Sequence, residues 1–276
     1  MKRLHIVGTG PRTGTTLMAE AMVACFDIDL FSRHEDRIWT QLEGEGEIML
    51  TKKPGDIMVA GPLLAVNPDL YVICMVRDPR DAVVSKHGRD PDKYWAGLRY
   101  WKAYAPYWRK IRHHSRVITI KYEHFVTDPD EIQQVIHKRL PFLAKKSSFS
   151  RYHEASIPSA ESTQALRGLR PISPAGVGSF RRHLGRVLDQ IEKHGSISGD
   201  LIELGYEADE SWEDVFEGVA PESSDSHWPE YFAPGELRQR RRGVYKEVIK
   251  ILLRRLGIQP AGLKNFLLRP CGQGKR

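Results

Sequence analysis

Apolar residues cluster in four short runs along the chain, and each run ends at a turn or at the start of a helical pattern. These runs predict β-strands over residues 3–7, 47–51, 70–76 and 116–120. Residues 70–76 (LYVICMV) are apolar without a break, which is typical of a parallel strand covered on both faces.

Between and after these runs, apolar residues recur at helical spacing. The pattern predicts helices over residues 15–25, 54–65, 78–87, 91–113, 129–139, 179–194, 198–204 and 235–256. Residues 144–178 are rich in Ser, Pro and Gly without a strong period, so we expect mostly loop there. Strands that alternate with helices predict an α/β fold with a largely parallel sheet.

The chain has 276 residues, enough for one large domain with a smaller appendage. We predict an α/β domain over 1–208, and a polar linker and basic amphipathic helical tail over 209–276. Residues 235–276 hold 12 basic and 2 acidic residues (net +10), whereas 1–234 hold 30 and 33 (net −3). Because the basic charge is confined to the tail, the sequence favours a local contact with an anionic partner over nucleic-acid binding. We expect the tail helix to dock on the body through its apolar side, with a peripheral membrane contact as the second interpretation.

The three cysteines, Cys25, Cys74 and Cys271, form no CxxC pair. They predict a reducing compartment such as the cytoplasm, and no cluster of ligands predicts a metal. The apolar run near the first residue is too short for a signal-peptide core, and no stretch approaches the roughly 20 apolar residues of a membrane-spanning helix. The sequence leaves the oligomeric state open.

A glycine-rich turn, residues 8–16 (GTGPRTGTT), joins the first predicted strand to the first predicted helix. Such a turn can hold a phosphate through backbone N–H groups at the helix start. Nucleotide triphosphatases of the Walker type carry a lysine after the last glycine, but that position is Thr15 here. Arg12 is the only basic side chain in the turn. The alternative is a tight connection without a ligand.

A second motif, residues 76–85 (VRDPRDAVVS), follows the apolar strand 70–76. Ligands of open α/β sheets bind beyond the carboxyl ends of the strands, where Arg77 can hold a phosphate with two N–H groups. Ser85, about two helical turns further on, would add a hydroxyl from the following helix. The alternative is an Arg–Asp pair that caps this helix.

Together these motifs resemble those of the sulfotransferases that use 3′-phosphoadenosine 5′-phosphosulfate (PAPS). Residues 10–17 (GPRTGTTL) resemble the 5′-phosphosulfate loop of that family, and residues 77–85 (RDPRDAVVS) resemble its 3′-phosphate motif. Residues 121–129 (KYEHFVTDP) and 176–184 (GVGSFRRHL) are similar to two weaker family segments. The resemblance covers residues 3–207. It implies a P-loop-like three-layer domain with a central, mostly parallel sheet flanked by helices, plus the helical C-terminal appendage.

The resemblance implies transfer of the PAPS sulfuryl group in line to a hydroxyl acceptor, which leaves adenosine 3′,5′-bisphosphate and needs no metal. The acceptor would be a carbohydrate, a glycolipid or a small metabolite. The loop residues implied to bind the 5′-phosphosulfate are Pro11, Arg12, Thr13, Gly14, Thr15 and Thr16. Arg77 and Ser85 would bind the 3′-phosphate, and Arg181 would lie near the nucleotide.

The catalytic set implied by the resemblance is Glu35, Lys52 and Arg12. Residues 50–55 (LTKKPG) lack the histidine of many small-molecule sulfotransferases and are closer to the Lys-x-Pro form of tyrosylprotein sulfotransferases and bacterial relatives. There the lysine contacts the leaving group, a role that Lys52 fits, with Lys53 as the alternative. Residues 31–37 (FSRHEDR) imply Glu35 as general base, with His34 and Asp36 as rivals.

Aromatic residues recur at helical spacing between Tyr94 and Trp108. Such a stripe predicts core packing, and the alternative is a platform for sugar rings.

Two other functions compete with sulfuryl transfer. A P-loop kinase or NTPase would use Asp78, which follows an apolar strand as a Walker-type acid does, but the missing lysine after Gly14 argues against it. A non-catalytic module would hold an anion or a membrane surface in the same loop without turnover.

Overall fold

The computed structural model describes residues 1–86, 90, 92–233 and 235–255. Cys271 and the predicted end of the tail helix at residue 256 lie outside these residues. Parts of the predicted helices 78–87 and 91–113 also lie outside them, at residues 87 and 91.

One parallel sheet forms the centre of the described chain, in the strand order β2-β3-β1-β4-β5. Its strands are β1 (Lys2–Gly8), β2 (Leu30–Phe31), β3 (Ile48–Lys52), β4 (Leu70–Val76) and β5 (Val117–Lys121). β1 lies in the middle and pairs with β3 on one side and β4 on the other.

Helices connect and follow the strands. They are α1 (Thr15–Cys25), α2 (Ile57–Val66), α3 (Pro79–Val83), α4 (Arg99–Ile111), α5 (Tyr122–Thr127), α6 (Pro129–Arg139), α7 (Tyr152–Ala155), α8 (Ala160–Leu166), α9 (Leu184–His194), α10 (Ser198–Glu203) and α11 (Glu236–Arg255). Short 3₁₀ turns lie at Pro54–Asp56, Phe149–Arg151, Ser179–Arg182 and Glu210–Phe216.

The side chains of β4 divide the core into two layers. Val72, Cys74 and Val76 pack with residues of α2 and α4 on one face, whereas Ile73 and Met75 pack with residues of α1 and α6 on the other. All five are fully buried, which is why this strand is apolar at every position. The arrangement confirms the predicted three-layer α/β fold.

The strand order also fixes where a ligand can enter. The chain leaves β1 toward the β2 edge, whereas it leaves β3 across β1 toward β4. Because these two connections run in opposite directions, a crevice opens between the carboxyl ends of β1 and β3. The glycine-rich turn and residues 53–55 follow these two strands and therefore meet at the crevice.

Several predicted elements were wrong in extent. β2 was missed because two residues carry no alternation to detect. The helix predicted over 78–87 ends at Val83, and the helix predicted over 91–113 begins only at Arg99. Between them, the backbone N–H of Trp95 donates to the carbonyl of Ser85 (2.8 Å), so the chain is held by long-range pairing instead of helical bonds. Residues 144–178, predicted as mostly loop, also contain α7 and α8.

The tail helix α11 packs against α2. Its Val244 is buried, and Val248 and Ile251 contact the same core layer. The division of the chain at residue 208 stays a prediction.

Candidate active site

The glycine-rich turn has a fixed backbone conformation. Arg12 and Gly14 both adopt left-handed backbone angles, with φ of 63° and 85°. A Cβ on Gly14 would lie 2.4 Å from Cδ2 of Tyr122, so only glycine fits there without displacing that ring. The Thr13 hydroxyl donates to the carbonyl of Gly10 (3.0 Å) and closes the turn. The turn leads directly into α1, whose N-terminus carries partial positive charge.

Arg77 follows β4 and reaches back to the turn. Its Nη1 donates to the carbonyl of Arg12 (2.9 Å), and its Nη2 donates to the carbonyl of Gly176 (3.0 Å). Its Cζ lies 4.4 Å from the centre of the Tyr122 ring. The Nε of Arg77 is buried and has no hydrogen-bond partner among the described residues. Arg77 therefore joins the 76–85 motif to the glycine-rich turn and leaves its Nε without a partner in the described chain.

Arg12 makes the second connection between the motifs. Its Nε donates to the Ser85 hydroxyl (3.1 Å), and its Nη1 donates to the carbonyl of Ala165 (3.2 Å). Ser85 lies beyond the end of α3, so the prediction that it projects from that helix was wrong, because α3 ends at Val83. The structure still brings Ser85 to the turn.

The guanidinium groups of Arg12, Arg77 and Arg167 act on one another beside the turn. Burial, together with the positive charges of Arg167 and Arg77, lowers the pKa of Arg12 to about 10, so it stays charged at neutral pH. Among the described residues, no salt bridge joins Arg12, Arg77 or Arg167 to a carboxylate. Three neighbouring guanidinium groups without an acidic partner favour binding of a multiply charged anion.

Lys52 and Glu35 meet on the β3 side of the crevice. The Nζ of Lys52 donates to the Thr16 hydroxyl (3.0 Å) and lies 3.9 Å from Oε1 of Glu35. The Lys52 side chain is only 2% exposed, and burial lowers its pKa. The Nζ of Lys53 lies 3.7 Å from Oε2 of Glu35, whose side chain is 34% exposed. The carboxylate thus lies between two ammonium groups and remains accessible.

The two rivals of Glu35 occupy different places. His34 lines the cavity described below, and its Nδ1 is buried without a hydrogen-bond partner in the described chain. Burial, followed by the nearby charge of Lys52, lowers the pKa of His34. Asp36 is not among the cavity-lining residues, and its backbone N–H donates to the carbonyl of Lys52 (3.1 Å).

A cavity of about 600 Å³ opens in front of these groups. Residues of the turn and Glu35 form one side of it. The aromatic residues that line it are Trp95, Tyr100, Tyr104 and Trp228. Tyr100 and Tyr104 are also buried in the core beside Trp101 and Trp108, so the α4 stripe serves both core packing and the cavity wall.

No pattern in the sequence predicted that residues 225–228 reach this cavity. The backbone N–H of Tyr94 donates to the carbonyl of Asp225 (3.0 Å), and the N–H of Trp228 donates to the carbonyl of Trp95 (3.0 Å). This pairing places His227 and Trp228 in the cavity wall. Residues 225–228 are placed there by backbone hydrogen bonds to a distant part of the chain, and a pattern of side chains does not reveal such bonds.

Asp81 is another residue that the sequence prediction missed. Its carboxylate accepts hydrogen bonds from the N–H of Gly178 (2.7 Å), the N–H of Phe180 (2.9 Å) and the Ser179 hydroxyl (3.1 Å). These bonds attach the late segment 176–182 to α3. They also hold the Gly176 carbonyl near Arg77.

The structure does not bring Arg181 into the cavity. Its side chain is exposed, and its Cζ lies 4.8 Å from the centre of the Phe180 ring. Arg181 is not among the residues that line the cavity.

Asp78 has a structural role at the start of α3. Its carboxylate accepts from the N–H of Arg80 (2.9 Å) and pairs with Nη2 of the same arginine (2.7 Å). The Arg–Asp pair considered from the sequence is therefore present, formed by Arg80, while Arg77 points to the turn. Because Arg80 occupies the carboxylate of Asp78, the structure argues against Asp78 as the acid of a Walker-type kinase or NTPase.

Among the described residues, no group of three or more His, Cys, Asp or Glu side chains is placed to hold a metal ion. No helix among the same residues is both long and apolar enough to cross a membrane.

Comparison with known proteins finds a family similarity over part of the chain. The sequence model of the sulfotransferase family matches residues 27–140. Among solved structures, the chain is similar to the sulfotransferase domain of the Synechococcus PCC 7002 olefin synthase, with 14% identity over 65% of this chain and 87% of that chain and a TM-score of 0.42. It is also similar to the sulfotransferase domain of the curacin biosynthetic pathway, with 12% identity over 80% and 99% of the two chains and a TM-score of 0.43. No curated protein matched. Over residues 27–140, the chain is thus similar to the sulfotransferase family.

Proposed function

We propose that the protein transfers the sulfuryl group of PAPS to a hydroxyl acceptor. The observation that carries this proposal is the cluster of Arg12, Arg77 and Arg167, which has no carboxylate partner among the described residues and adjoins a glycine-rich turn. PAPS carries one phosphate at the 3′ position and a phosphosulfate at the 5′ position, so two anion sites are needed. Two motifs from neighbouring strands supply them.

The residues present fit such a donor. The buried Nε of Arg77 lacks a partner among the described residues, and a phosphate oxygen would satisfy it. In this proposal Arg77 and Ser85 hold the 3′-phosphate. Arg12 and the backbone of residues 13–16 hold the 5′-phosphosulfate. When bound, the donor supplies an electrophilic sulfur and a leaving phosphate.

Glu35 serves as the general base. Its accessible carboxylate takes the proton of the acceptor hydroxyl as the new oxygen–sulfur bond forms. The ammonium groups of Lys52 and Lys53, 3.9 and 3.7 Å away, position this carboxylate beside the turn.

Lys52 stabilises the charge that develops on the leaving phosphate oxygen. It is buried and points to Thr16 in the first turn of α1, so its charge acts where water is scarce. The acceptor reaches Glu35 through the cavity, whose aromatic wall suits the apolar faces of a sugar ring or of an aromatic metabolite.

The first test is calorimetric titration with adenosine 3′,5′-bisphosphate, with ATP and magnesium for comparison. We expect the bisphosphate to bind and Arg77→Ala to weaken it by about 10- to 100-fold, as loss of charge-assisted bonds predicts. Arg151→Ala is the matched control, because Arg151 is a surface arginine, 68% exposed and paired with Glu154. Binding of ATP with magnesium but not of the bisphosphate would refute the proposal and favour a kinase.

A second test separates catalysis from binding. Acceptors are screened with PAPS, and release of the bisphosphate is followed. We expect Glu35→Gln to reduce turnover by about 10²- to 10⁴-fold while bisphosphate affinity is retained. Equal turnover of Glu35→Gln and the unmodified protein would instead exclude Glu35 as the base.

A further inference from the structure

Helix α11 exposes a stripe of large apolar side chains. Tyr245, Ile249 and Leu252 are 66%, 39% and 43% exposed. At 3.6 residues per turn they lie within about 60° of one another around the helix axis. Single exposed apolar residues are ordinary, but three on one stripe of one helix form a continuous apolar surface.

This stripe is not the surface by which α11 docks on the body. Docking uses Val244, which is 4% exposed, together with the partly buried Val248 and Ile251. Around the helix axis, the mean direction of those three side chains lies about 100° from that of the exposed stripe. The helix therefore has one apolar face that packs on the body and a second that the described chain leaves open to solvent.

Cationic side chains flank the open stripe. Arg242, Lys246 and Lys250 are exposed and lie on the side of the stripe away from the docking face. Lys250 is paired with Glu247. Residues 235–276 carry a net charge of +10, whereas the rest of the chain carries −3, so an extended anionic surface is attracted to this end of the chain more than to the body as a whole.

We propose that the exposed face of α11, formed by Tyr245, Ile249 and Leu252 with Arg242, Lys246 and Lys250, binds an anionic membrane surface. The apolar stripe enters the boundary between headgroups and acyl chains, and the cations contact anionic headgroups. A nucleic acid would use the cations and the Tyr245 ring but not the aliphatic side chains of Ile249 and Leu252, so the combination favours lipid. The helix lies along the surface, docked to the body by its other face. This inference does not depend on the proposed sulfuryl transfer.

The test is flotation of the full-length protein with vesicles of phosphatidylcholine alone or of phosphatidylcholine mixed with phosphatidylserine. We expect binding to the mixed vesicles only, and weaker binding when salt is raised from about 0.1 M to about 1 M. The variant Tyr245→Ser/Ile249→Ser/Leu252→Ser removes the stripe. Its control is Val135→Ser/Ile202→Ser/Val215→Ser, at apolar residues exposed to 40%, 38% and 39% on other elements.

A second variant pair tests the charges. Arg242→Gln/Lys246→Gln/Lys250→Gln should reduce vesicle binding by about fivefold for each basic side chain that faces the membrane. Lys145→Gln/Lys146→Gln/Arg151→Gln removes the same number of exposed charges elsewhere and should bind like the unmodified protein. Thermal unfolding of each variant establishes that it is folded.

Three results would overturn the proposal. The first is no binding to mixed vesicles by the folded, unmodified protein. The second is an equal loss of binding in an α11 variant and its control. The third is binding of single-stranded RNA that competes with the vesicles and depends on the three α11 cations but not on the apolar stripe, which would identify a polyanion site instead.

Discussion

The loss of stability expected when Asp81 is replaced can be worked out from its hydrogen bonds. Its carboxylate is 1% exposed and accepts three hydrogen bonds from residues 178–180. Bonds to a charged acceptor contribute about 1.5 kcal/mol each at the low end of their range, so the sum of three is about 4.5 kcal/mol. The segment 176–182 can partly regain water when it is released, which reduces the net loss. We therefore expect Asp81→Ala to lower the free energy of unfolding by about 3 kcal/mol.

The measurement is urea unfolding followed by tryptophan fluorescence, with the slope checked for two-state behaviour. The matched control is Asp130→Ala. The Asp130 carboxylate also accepts two bonds, from the N–H (2.9 Å) and the hydroxyl (2.7 Å) of Ser150, but these lie at the surface. Its loss should cost less than about 1 kcal/mol. Equal losses for the two variants would refute the argument that burial makes the Asp81 bonds strong.

The same variant has a readout at the site. Release of residues 176–182 would remove the Gly176 carbonyl from Nη2 of Arg77. We expect bisphosphate affinity to change in Asp81→Ala and to stay the same in Asp130→Ala.

Two further predictions concern the turn and the sheet. Gly14→Ala should cost about 1–2 kcal/mol of stability from its left-handed backbone alone, and should abolish bisphosphate binding through displacement of Tyr122; calorimetry that shows unchanged affinity would contradict this. His5 is buried beside Thr51, and burial lowers its pKa to about 3, so the folded chain holds it neutral. As the pH falls, the unfolded chain binds a proton on this imidazole at a higher pH than the folded chain does. The contribution of neutral His5 to stability is therefore present above about pH 6.5, and it falls by about 1.4 kcal/mol per pH unit as the pH drops toward 3. Urea unfolding at several pH values should show a shallower decline for His5→Asn, and an identical decline would exclude His5 as the source.

The sequence predicted those elements whose signals are local. α1 spans residues 15–25 and α6 spans 129–139 as predicted, because a glycine turn or an Asp–Pro start marks the first residue and apolar spacing marks the length. β4 was predicted at 70–76 because burial on both faces demands an unbroken apolar run. Arg77 was placed beyond the carboxyl end of β4 by the same strand prediction, whereas its hydrogen bond to the turn was not predicted.

What the sequence could not predict depends on distant backbone contacts. Residues 92–98 have aromatic spacing that is typical of a helix, but pairing with residues 85 and 225–228 holds them in another conformation. Asp81 lies within the 76–85 motif, but the residues that donate hydrogen bonds to its carboxylate are almost a hundred positions further along the chain. Arg181 was assigned from a weak family segment alone, and its exposed side chain lies outside the cavity lining.

The attachment of residues 225–228 has a consequence for how the cavity can diversify. The segment is held to Tyr94 and Trp95 by main-chain hydrogen bonds, which any non-proline residue can form. His227 and Trp228 can therefore be exchanged without loss of the bonds that hold the segment in place. The turn is different, because Gly14 is constrained by its backbone angle and by Tyr122. The cavity wall at residues 227–228 thus tolerates replacement, whereas the turn at Gly14 does not. New binding preferences can be engineered or selected in that wall while residues 8–16 and 76–85 stay unchanged.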